Sequence, residues 1–270
     1  MARVHLSGPD APIGVFDSGF GGLTVARALV DQLPGEDLLY LGDTARSPYG
    51  PQPIDVVREY ALECLDHLAE QGVKALVIAC NSASAAMLRD ARQRYDVPVV
   101  DVILPAARRA ARTTRNGRVG VLCTEATATS GAYADALGVA PVEVTTTACP
   151  RFVEFVEAGV TSGAELMAVA EEYLAPVRAA GVDTLVLGCT HYPLLTGVLS
   201  YLLGPGVTLV SSAEECATAS YATLLGAGLL RGGDGRQGRH EFITTGAPDA
   251  FAGIGRRLVG EWVGHVRQFS

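Results

Sequence analysis

The same short segment occurs twice in the chain, and each copy ends in a cysteine. The first copy is residues 72–82, GVKALVIACNS, and the second is residues 181–191, GVDTLVLGCTH; five of the first nine positions are identical. Each apolar run is rich in β-branched residues, which is typical of a strand buried on both faces of a parallel sheet. Ligands of open α/β sheets bind beyond the carboxyl ends of strands. Cys80 and Cys189 are therefore placed where chemistry is expected.

The repeat extends beyond the cysteine segments. The offset is 109 residues from Cys80 to Cys189 and 106 residues from Ile13 to Val119, where short apolar segments correspond. Apolar segments alternate with segments of helical periodicity and short loops, which favours parallel sheets in both halves. We predict an α/β fold of two pseudo-symmetric parallel-sheet domains from an internal duplication, with the active site in the cleft between them.

The domain boundaries follow from where the repeat ends. Residues 102–211 form the predicted second domain. The segment after residue 211 has no counterpart in the repeat, and it contains a predicted helix, a glycine-rich loop and a strand at about 240–244. We predict that this segment returns to the first domain, which would then be discontinuous and consist of residues 1–101 and 212–270.

Composition argues against several classes of protein. A net charge of −8 disfavours general nucleic-acid binding, because neutralising phosphates requires clustered Lys and Arg. No segment approaches the roughly 20 apolar residues of a membrane helix, and the N-terminus lacks the apolar core of a signal peptide. Six cysteines without dense spacing do not indicate a disulfide scaffold. We expect a cytoplasmic protein with reduced thiols and no membrane or direct nucleic-acid partner.

Several polar residues are placed to assist the two cysteines. Each cysteine precedes a helical segment, whose N-terminus is expected to stabilise a thiolate and lower its pKa from about 8.5. Asp17 ends the first predicted strand, so it should lie near Cys80. His191 follows Cys189 by two residues, where it could hold a proton for the thiol. The glycine-rich turn at residues 17–22 is suited to a small anion such as a carboxylate.

Two further kinds of thiol chemistry stay open at this point. A redox pair is one, although no C-x-x-C is present. A zinc site is the second, with Cys189 and His191 as two ligands and no obvious further set. The remaining cysteines are interpreted as packing residues: Cys64, Cys123, Cys149 and Cys216.

Four motifs together resemble the cofactor-independent glutamate racemases. They are DSGFGG at residues 17–22, GDTARSPYG at residues 42–50, ACNS at residues 79–82 and GCTHYPL at residues 188–194. The resemblance covers nearly the whole chain, in the same order and spacing. It implies a two-base racemase that interconverts L- and D-glutamate without a cofactor or metal, supplies D-glutamate for peptidoglycan and forms a homodimer.

The same resemblance implies roles for individual residues. Cys80 would act on D-glutamate with help from Asp17, and Cys189 on L-glutamate with help from His191. Two further acidic residues, Asp43 and Glu157, match family positions beside the site. Substrate contacts are implied for Asp17, Ser18, Tyr49, Gly50, Asn81, Ser82, Thr124, Thr127, Thr190 and His191.

The chain departs from the family pattern at two positions. Ser82 stands where many members carry Thr, which retains the hydroxyl, and Glu154 adds a charge where an apolar residue or proline is common.

Three competing functions stay open beside glutamate racemisation. The first is that of the aspartate racemases of the same superfamily, which tend to carry Glu where this chain has His191. The second is that of a non-catalytic amino-acid-binding or regulatory protein on this fold. The third is that of an unrelated thiol oxidoreductase.

Overall fold

The computed structural model is organised by two parallel β-sheets. It describes residues 8–233 and 235–269. The ends of the predicted first domain, residues 1–7 and 270, lie outside the described residues. The strands are β1 Ile13–Asp17, β2 Leu38–Gly42, β3 Ala75–Ile78, β4 Val99–Asp101, β5 Arg118–Cys123, β6 Glu143–Ala148, β7 Thr184–Gly188, β8 Thr208–Ser211, β9 His240–Thr244 and β10 Val266–Gln268. The α-helices are α1 Leu23–Gln32, α2 Ile54–Glu70, α3 Asn81–Arg94, α4 Ile103–Thr113, α5 Glu125–Ser130, α6 Ala132–Leu137, α7 Pro150–Glu157, α8 Ala164–Ala179, α9 Thr196–Leu203, α10 Ser212–Gly226 and α11 Pro248–Val259. A short 3₁₀ helix covers Tyr192–Leu195.

The strand order repeats between the sheets. The first sheet has the order β10-β9-β2-β1-β3-β4 and the second has β6-β5-β7-β8, with every neighbouring pair parallel. The run β2-β1-β3-β4 therefore has the same order as β6-β5-β7-β8. Cys80 follows β3 and Cys189 follows the equivalent strand β7. The predicted fold class, two α/β halves with parallel sheets, is confirmed.

The packing inside the two sheets repeats as well. Gly14 in β1 is paired with Leu76 in β3, and Gly120 in β5 is paired with Leu185 in β7. A Cβ atom on Gly14 would lie 3.2 Å from Leu76 Cδ2, and one on Gly120 would lie 2.6 Å from Leu185 Cδ1. In both halves a glycine thus makes room for an equivalent leucine, which supports the internal duplication.

One apolar core joins the two halves. Helix α10 packs against α1 and against α4, and buried residues of both sheets, such as Val15 and Val121, belong to the same cluster. Two further clusters cover the outer faces of the sheets. This arrangement leaves the carboxyl ends of β3 and β7 facing a common cleft. None of the helices in the described ranges has both the length and the apolar character needed to cross a bilayer.

Some elements differ from the sequence-based expectations. The mostly apolar segment at residues 99–103 favours a strand through Ile103, but helix α4 begins at that residue. The reason is that the Asp101 carboxylate accepts the backbone N–H groups of Ile103 and Leu104 at 2.8 and 2.9 Å. The sequence does not predict the short strands β8 and β10. The segment after residue 211 contributes β9 and β10 to the first sheet, with β9 paired to β2. The domain boundaries at 101/102 and 211/212 stay predictions.

Candidate active site

A cavity of about 230 Å³ lies between the carboxyl ends of the two sheets. Both Cys80 and Cys189 line it. Nine more residues singled out from the sequence line it with them: Ser18, Tyr49, Gly50, Asn81, Ser82, Thr124, Glu157, Thr190 and His191. Asp17, Asp43 and Thr127 are buried behind the residues that line the cavity.

Cys80 sits at the N-terminus of α3. Its sulfur accepts the N–H of Ala83 at 3.4 Å, and its thiol donates to Ser18 Oγ at 3.3 Å. Burial, together with the charge of Asp17, nevertheless raises the pKa of Cys80 to about 12. The N–H of Ala83 at the helix N-terminus does act to lower this pKa, but desolvation outweighs it, so the expectation of a pKa below about 8.5 is wrong for Cys80. Cys80 is a thiol at neutral pH.

Asp17 is almost fully buried at the end of β1. Its Oδ2 accepts the Gly19 N–H at 2.9 Å, whereas Oδ1 has no hydrogen-bond partner in the described part of the chain. Burial raises the pKa of this carboxyl, and the surrounding N–H groups and His191 offset the effect only in part. A buried carboxyl with a raised pKa beside a thiol is suited to exchanging a proton with it.

The Cys189 thiol, the His191 imidazole and the Glu157 carboxylate lie in a row, with the imidazole in the middle. His191 Nδ1 lies 3.8 Å from Cys189 Sγ, and His191 Nε2 lies 3.1 Å from Glu157 Oε1. Burial disfavours the charged imidazole, but the hydrogen bonds and negative charges of Cys189 and Glu157 prevail and raise the pKa of His191 to about 10. At neutral pH an imidazolium therefore stands beside Cys189, where it can balance the charge of a thiolate.

Asp43 supports the cavity wall from behind. Its carboxylate is fully buried and accepts hydrogen bonds from the Tyr49 hydroxyl, from Arg46 Nε at 2.7 Å and from Thr245 Oγ1 at 2.7 Å. Tyr49 lines the cavity, whereas Asp43 does not. The geometry thus gives Asp43 direct contact with Tyr49 and none with the cavity.

Hydroxyl groups connect the two halves across the cleft. Ser82 Oγ lies 2.8 Å from Thr124 Oγ1, which donates in turn to Thr127 Oγ1 at 3.0 Å. The Thr24 hydroxyl of α1 donates to the Thr190 carbonyl at 2.8 Å. Ser82 therefore keeps the hydroxyl function that a threonine would provide, and Thr127 contacts the cavity only through Thr124.

Sequence reasoning missed several residues of the site. Those that line the cavity without having been proposed for it are Ser47, Pro48, Pro51, Glu125, Pro150, Val153 and Glu154. Two of them, Ser47 and Pro48, lie inside the motif at residues 42–50, so its whole length could have been included. Tyr133, which donates to Asn81 Oδ1 at 2.7 Å, had no signal in the sequence.

All six cysteines are buried free thiols. Within residues 8–233 and 235–269, no group of three or more His, Cys, Asp or Glu side chains is arranged to hold a metal ion. Cys189 and His191 accordingly have no third ligand there.

The chain resembles known proteins over nearly its whole length. The family model described as Asp/Glu/Hydantoin racemase matches residues 13–219. The chain is 64% identical over 251 residues to a glutamate racemase of Parafrankia sp. (strain EAN1pec), covering 93% of this chain and 91% of that protein.

Solved structures give the same relationship. The glutamate racemase of Thermus thermophilus in complex with beta-chloro-D-alanine is similar with a TM-score of 0.88 and 46% identity, covering 98% of each chain. The glutamate racemase of Francisella tularensis subsp. tularensis SCHU S4 in complex with D-glutamate is similar with a TM-score of 0.90 and 33% identity, covering 97% of this chain and 98% of that one.

Proposed function

The chain belongs to the Asp/Glu/hydantoin racemase family, and from that premise we propose that it is a cofactor-independent glutamate racemase. The observation that carries the proposal is that two cysteines, each following the equivalent strand of a different sheet, line one cavity. Racemisation requires a base and an acid on opposite faces of one carbon. A duplicated fold supplies both by pseudo-symmetry.

In the direction from L- to D-glutamate, the Cys189 thiolate removes the α-proton, assisted by the positive charge of His191. The electron pair of the broken C–H bond stays on the substrate, and the Cys80 thiol donates its proton to the opposite face. The Cys80 sulfur ends as the thiolate and Cys189 as the thiol. The raised pKa of Cys80 suits it to be the acid in this direction.

The reverse direction requires Cys80 to lose its proton first. Asp17 is the proposed partner for this step, because its buried carboxyl has a raised pKa and its charge acts on Cys80. Glu157 keeps His191 charged through the 3.1 Å contact between them. Asp43 is proposed to contribute through Tyr49.

In this proposal the substrate is held mostly by neutral donors, and His191 is the one charged group among the proposed contacts. Hydroxyl, amide and backbone N–H groups of the lining residues bind the two carboxylates and stabilise the negative charge that develops beside the α-carbon. The proposed substrate contacts are Ser18, Tyr49, Gly50, Asn81, Ser82, Thr124, Thr190 and His191, with Thr127 and Asp17 supporting them from behind.

The cellular setting is part of the proposal. We expect the enzyme to act in the cytoplasm, since six free thiols are typical of a reducing compartment. We expect it to supply D-glutamate for peptidoglycan and to form a homodimer, as the resemblance to glutamate racemases implies. Light scattering of the purified protein tests the homodimer directly.

The first test is circular dichroism of the purified protein with L-glutamate and no added cofactor. Decay of the L-glutamate signal toward zero, with the L-aspartate signal unchanged in a parallel sample, is expected. Decay of the L-aspartate signal alone would indicate that the substrate is aspartate and not glutamate. No decay with either amino acid would contradict racemase activity and favour a binding protein on this fold.

The two-base mechanism has its own test. Cys80→Ala and Cys189→Ala are each expected to abolish racemisation in both directions, because each cysteine serves as base in one direction and as acid in the other. Cys216→Ala is the control, since Cys216 is a buried thiol of α10 that does not line the cavity. Full turnover by either active-site variant would exclude the mechanism.

A further inference from the structure

A buried tyrosine of the second half reaches across to the first half beside the active site. Tyr133 lies on α6 and is 2% exposed. Its hydroxyl donates to Asn81 Oδ1 at 2.7 Å, and Asn81 directly follows Cys80. This hydrogen bond therefore couples an element of one half to the residue next to a catalytic cysteine of the other half.

The amide of Asn81 is only half satisfied by this contact. Asn81 is 2% exposed and lines the cavity. Its oxygen is occupied by Tyr133, whereas Nδ2 has no hydrogen-bond partner among the described residues. A buried unpaired N–H₂ group is unfavourable. Asn81 therefore brings a buried, unpaired donor to the wall of the cavity, and an anionic acceptor would complement it.

The ring of Tyr133 packs against a glycine of the second half. A Cβ atom on Gly188, the last residue of β7, would lie 2.8 Å from the Leu122 carbonyl oxygen and 2.9 Å from Tyr133 Cε2. The residue at the equivalent position of the first half is Ala79, 109 residues earlier. The repeat thus departs from its symmetry at the position against which the Tyr133 ring packs.

The direction of the hydrogen bond is also determined by burial. Desolvation raises the pKa of Tyr133 well above its ordinary value, so its hydroxyl stays protonated at neutral pH. A protonated hydroxyl that donates to Oδ1 holds the amide with its nitrogen on the other side.

We propose that Tyr133 is a positioning residue that orients the Asn81 amide so that its N–H groups bind a carboxylate of the substrate. The proposal rests on the proposed function and deepens it. Tyr133 does not touch the substrate in this arrangement, and its effect passes through Asn81 alone.

The test is Tyr133→Phe, which removes the hydroxyl and keeps the ring. Free rotation of the amide weakens binding of substrate and transition state alike, so KM is expected to rise about five- to tenfold in both directions, with kcat within about twofold of wild type. Tyr95→Phe is the control. The Tyr95 hydroxyl donates to the Asp66 carboxylate over a distance of 2.8 Å, and neither residue lines the cavity. An unchanged KM in Tyr133→Phe overturns the proposal.

A double-mutant cycle separates positioning from structural support. In an Asn81→Ala background, Tyr133→Phe is expected to add less than about twofold to KM, because the residue it acts through is gone. The same five- to tenfold increase in that background would mean that Tyr133 acts by another route, and it overturns the proposal.

Asn81→Asp provides a second variant that keeps the shape of the side chain. It retains the acceptor for Tyr133 and lacks the N–H groups, so KM is expected to rise more than about tenfold; a wild-type KM overturns the proposal. Wild-type turnover is measured first. Its absence rejects the proposed function and the positioning role together, whereas turnover with an unaffected Tyr133→Phe rejects the positioning role alone.

Discussion

At the scale of single residues, the two cysteines differ in what surrounds them although their strands are equivalent. Cys80 has a hydroxyl, a backbone N–H and a buried carboxyl as neighbours, and its pKa is raised to about 12. Cys189 has an imidazolium that is held in turn by Glu157. The first environment favours the thiol form of Cys80, and the second can balance a thiolate at Cys189. This difference matches the proposed reaction from L- to D-glutamate, in which Cys189 is the base and Cys80 is the acid.

The His191–Glu157 contact predicts a pH-dependent stability. A histidine whose folded pKa is raised from 6.5 to about 10 contributes stability that is fully present below pH 6.5 and is lost as the pH rises through 10. Glu157→Gln removes the charged partner. Its free energy of unfolding is therefore expected to be about 1 kcal/mol below that of wild type at pH 6, with the gap closing toward pH 10.

Urea unfolding at the two pH values measures this gap. Glu154→Gln is the matched control, because Glu154 lies on the same helix α7 and is exposed. No pH-dependent gap is expected for that variant. An equal gap at pH 6 and pH 10 in Glu157→Gln would show that the carboxylate does not act on the charge of His191.

At the scale of elements, the repeat made β3 and β7 predictable, and the alternation of helices and strands followed from periodicity. The short edge strand β10, Val266–Gln268, was not predictable, because three residues carry no measurable alternation and its pairing with β9 is tertiary. Within the site, Asp43 belonged to a recognised motif. Only the fold decides that its carboxylate lies behind Tyr49 and that Tyr133 reaches Asn81.

The packing around Gly14 in β1 and around the equivalent Gly120 in β5 predicts the effect of adding a methyl group at each position. A Cβ on Gly120 would lie 2.6 Å from both Leu185 Cδ1 and Val177 Cγ1, whereas the nearest atom to one on Gly14 is at 3.0 Å. Gly120→Ala is expected to lower the free energy of unfolding by about 2 kcal/mol, and Gly14→Ala by about 1 kcal/mol.

Denaturant unfolding of both variants measures the difference, with Gly253→Ala as the control. Gly253 is an exposed residue inside α11, and a Cβ atom added to it would meet no atom within 4 Å. Alanine at this position is therefore expected to stabilise the protein by about 0.5–1 kcal/mol. Equal stability of Gly120→Ala and wild type would mean that the Leu185 and Val177 side chains can move aside without cost.

At the scale of the whole molecule, the site exists because two halves approach each other closely. The first turn of α1 contacts the segment after β7: the Thr24 hydroxyl donates to the Thr190 carbonyl at 2.8 Å. A Cβ atom on Gly21 would lie 2.3 Å from Thr190 Oγ1 and 2.5 Å from His191 Cε1. The absence of a side chain at Gly21 is what allows the two halves to meet beside His191.

Gly21→Ala is therefore expected to displace His191 and the neighbouring Cys189 relative to Cys80. Since a shift of about 1 Å in reacting groups can cost about 100-fold in rate, kcat/KM for glutamate is expected to fall by about that factor. Each half keeps its own sheet and its own buried cluster, so the variant is expected to stay folded, as its thermal midpoint would report. Gly226→Ala is the control, because a Cβ atom on Gly226 at the end of α10 would meet no atom within 4 Å. If Gly21→Ala kept wild-type kcat/KM, the distance between the two halves would not govern proton transfer, and the site would tolerate a wider cleft than its hydrogen bonds indicate.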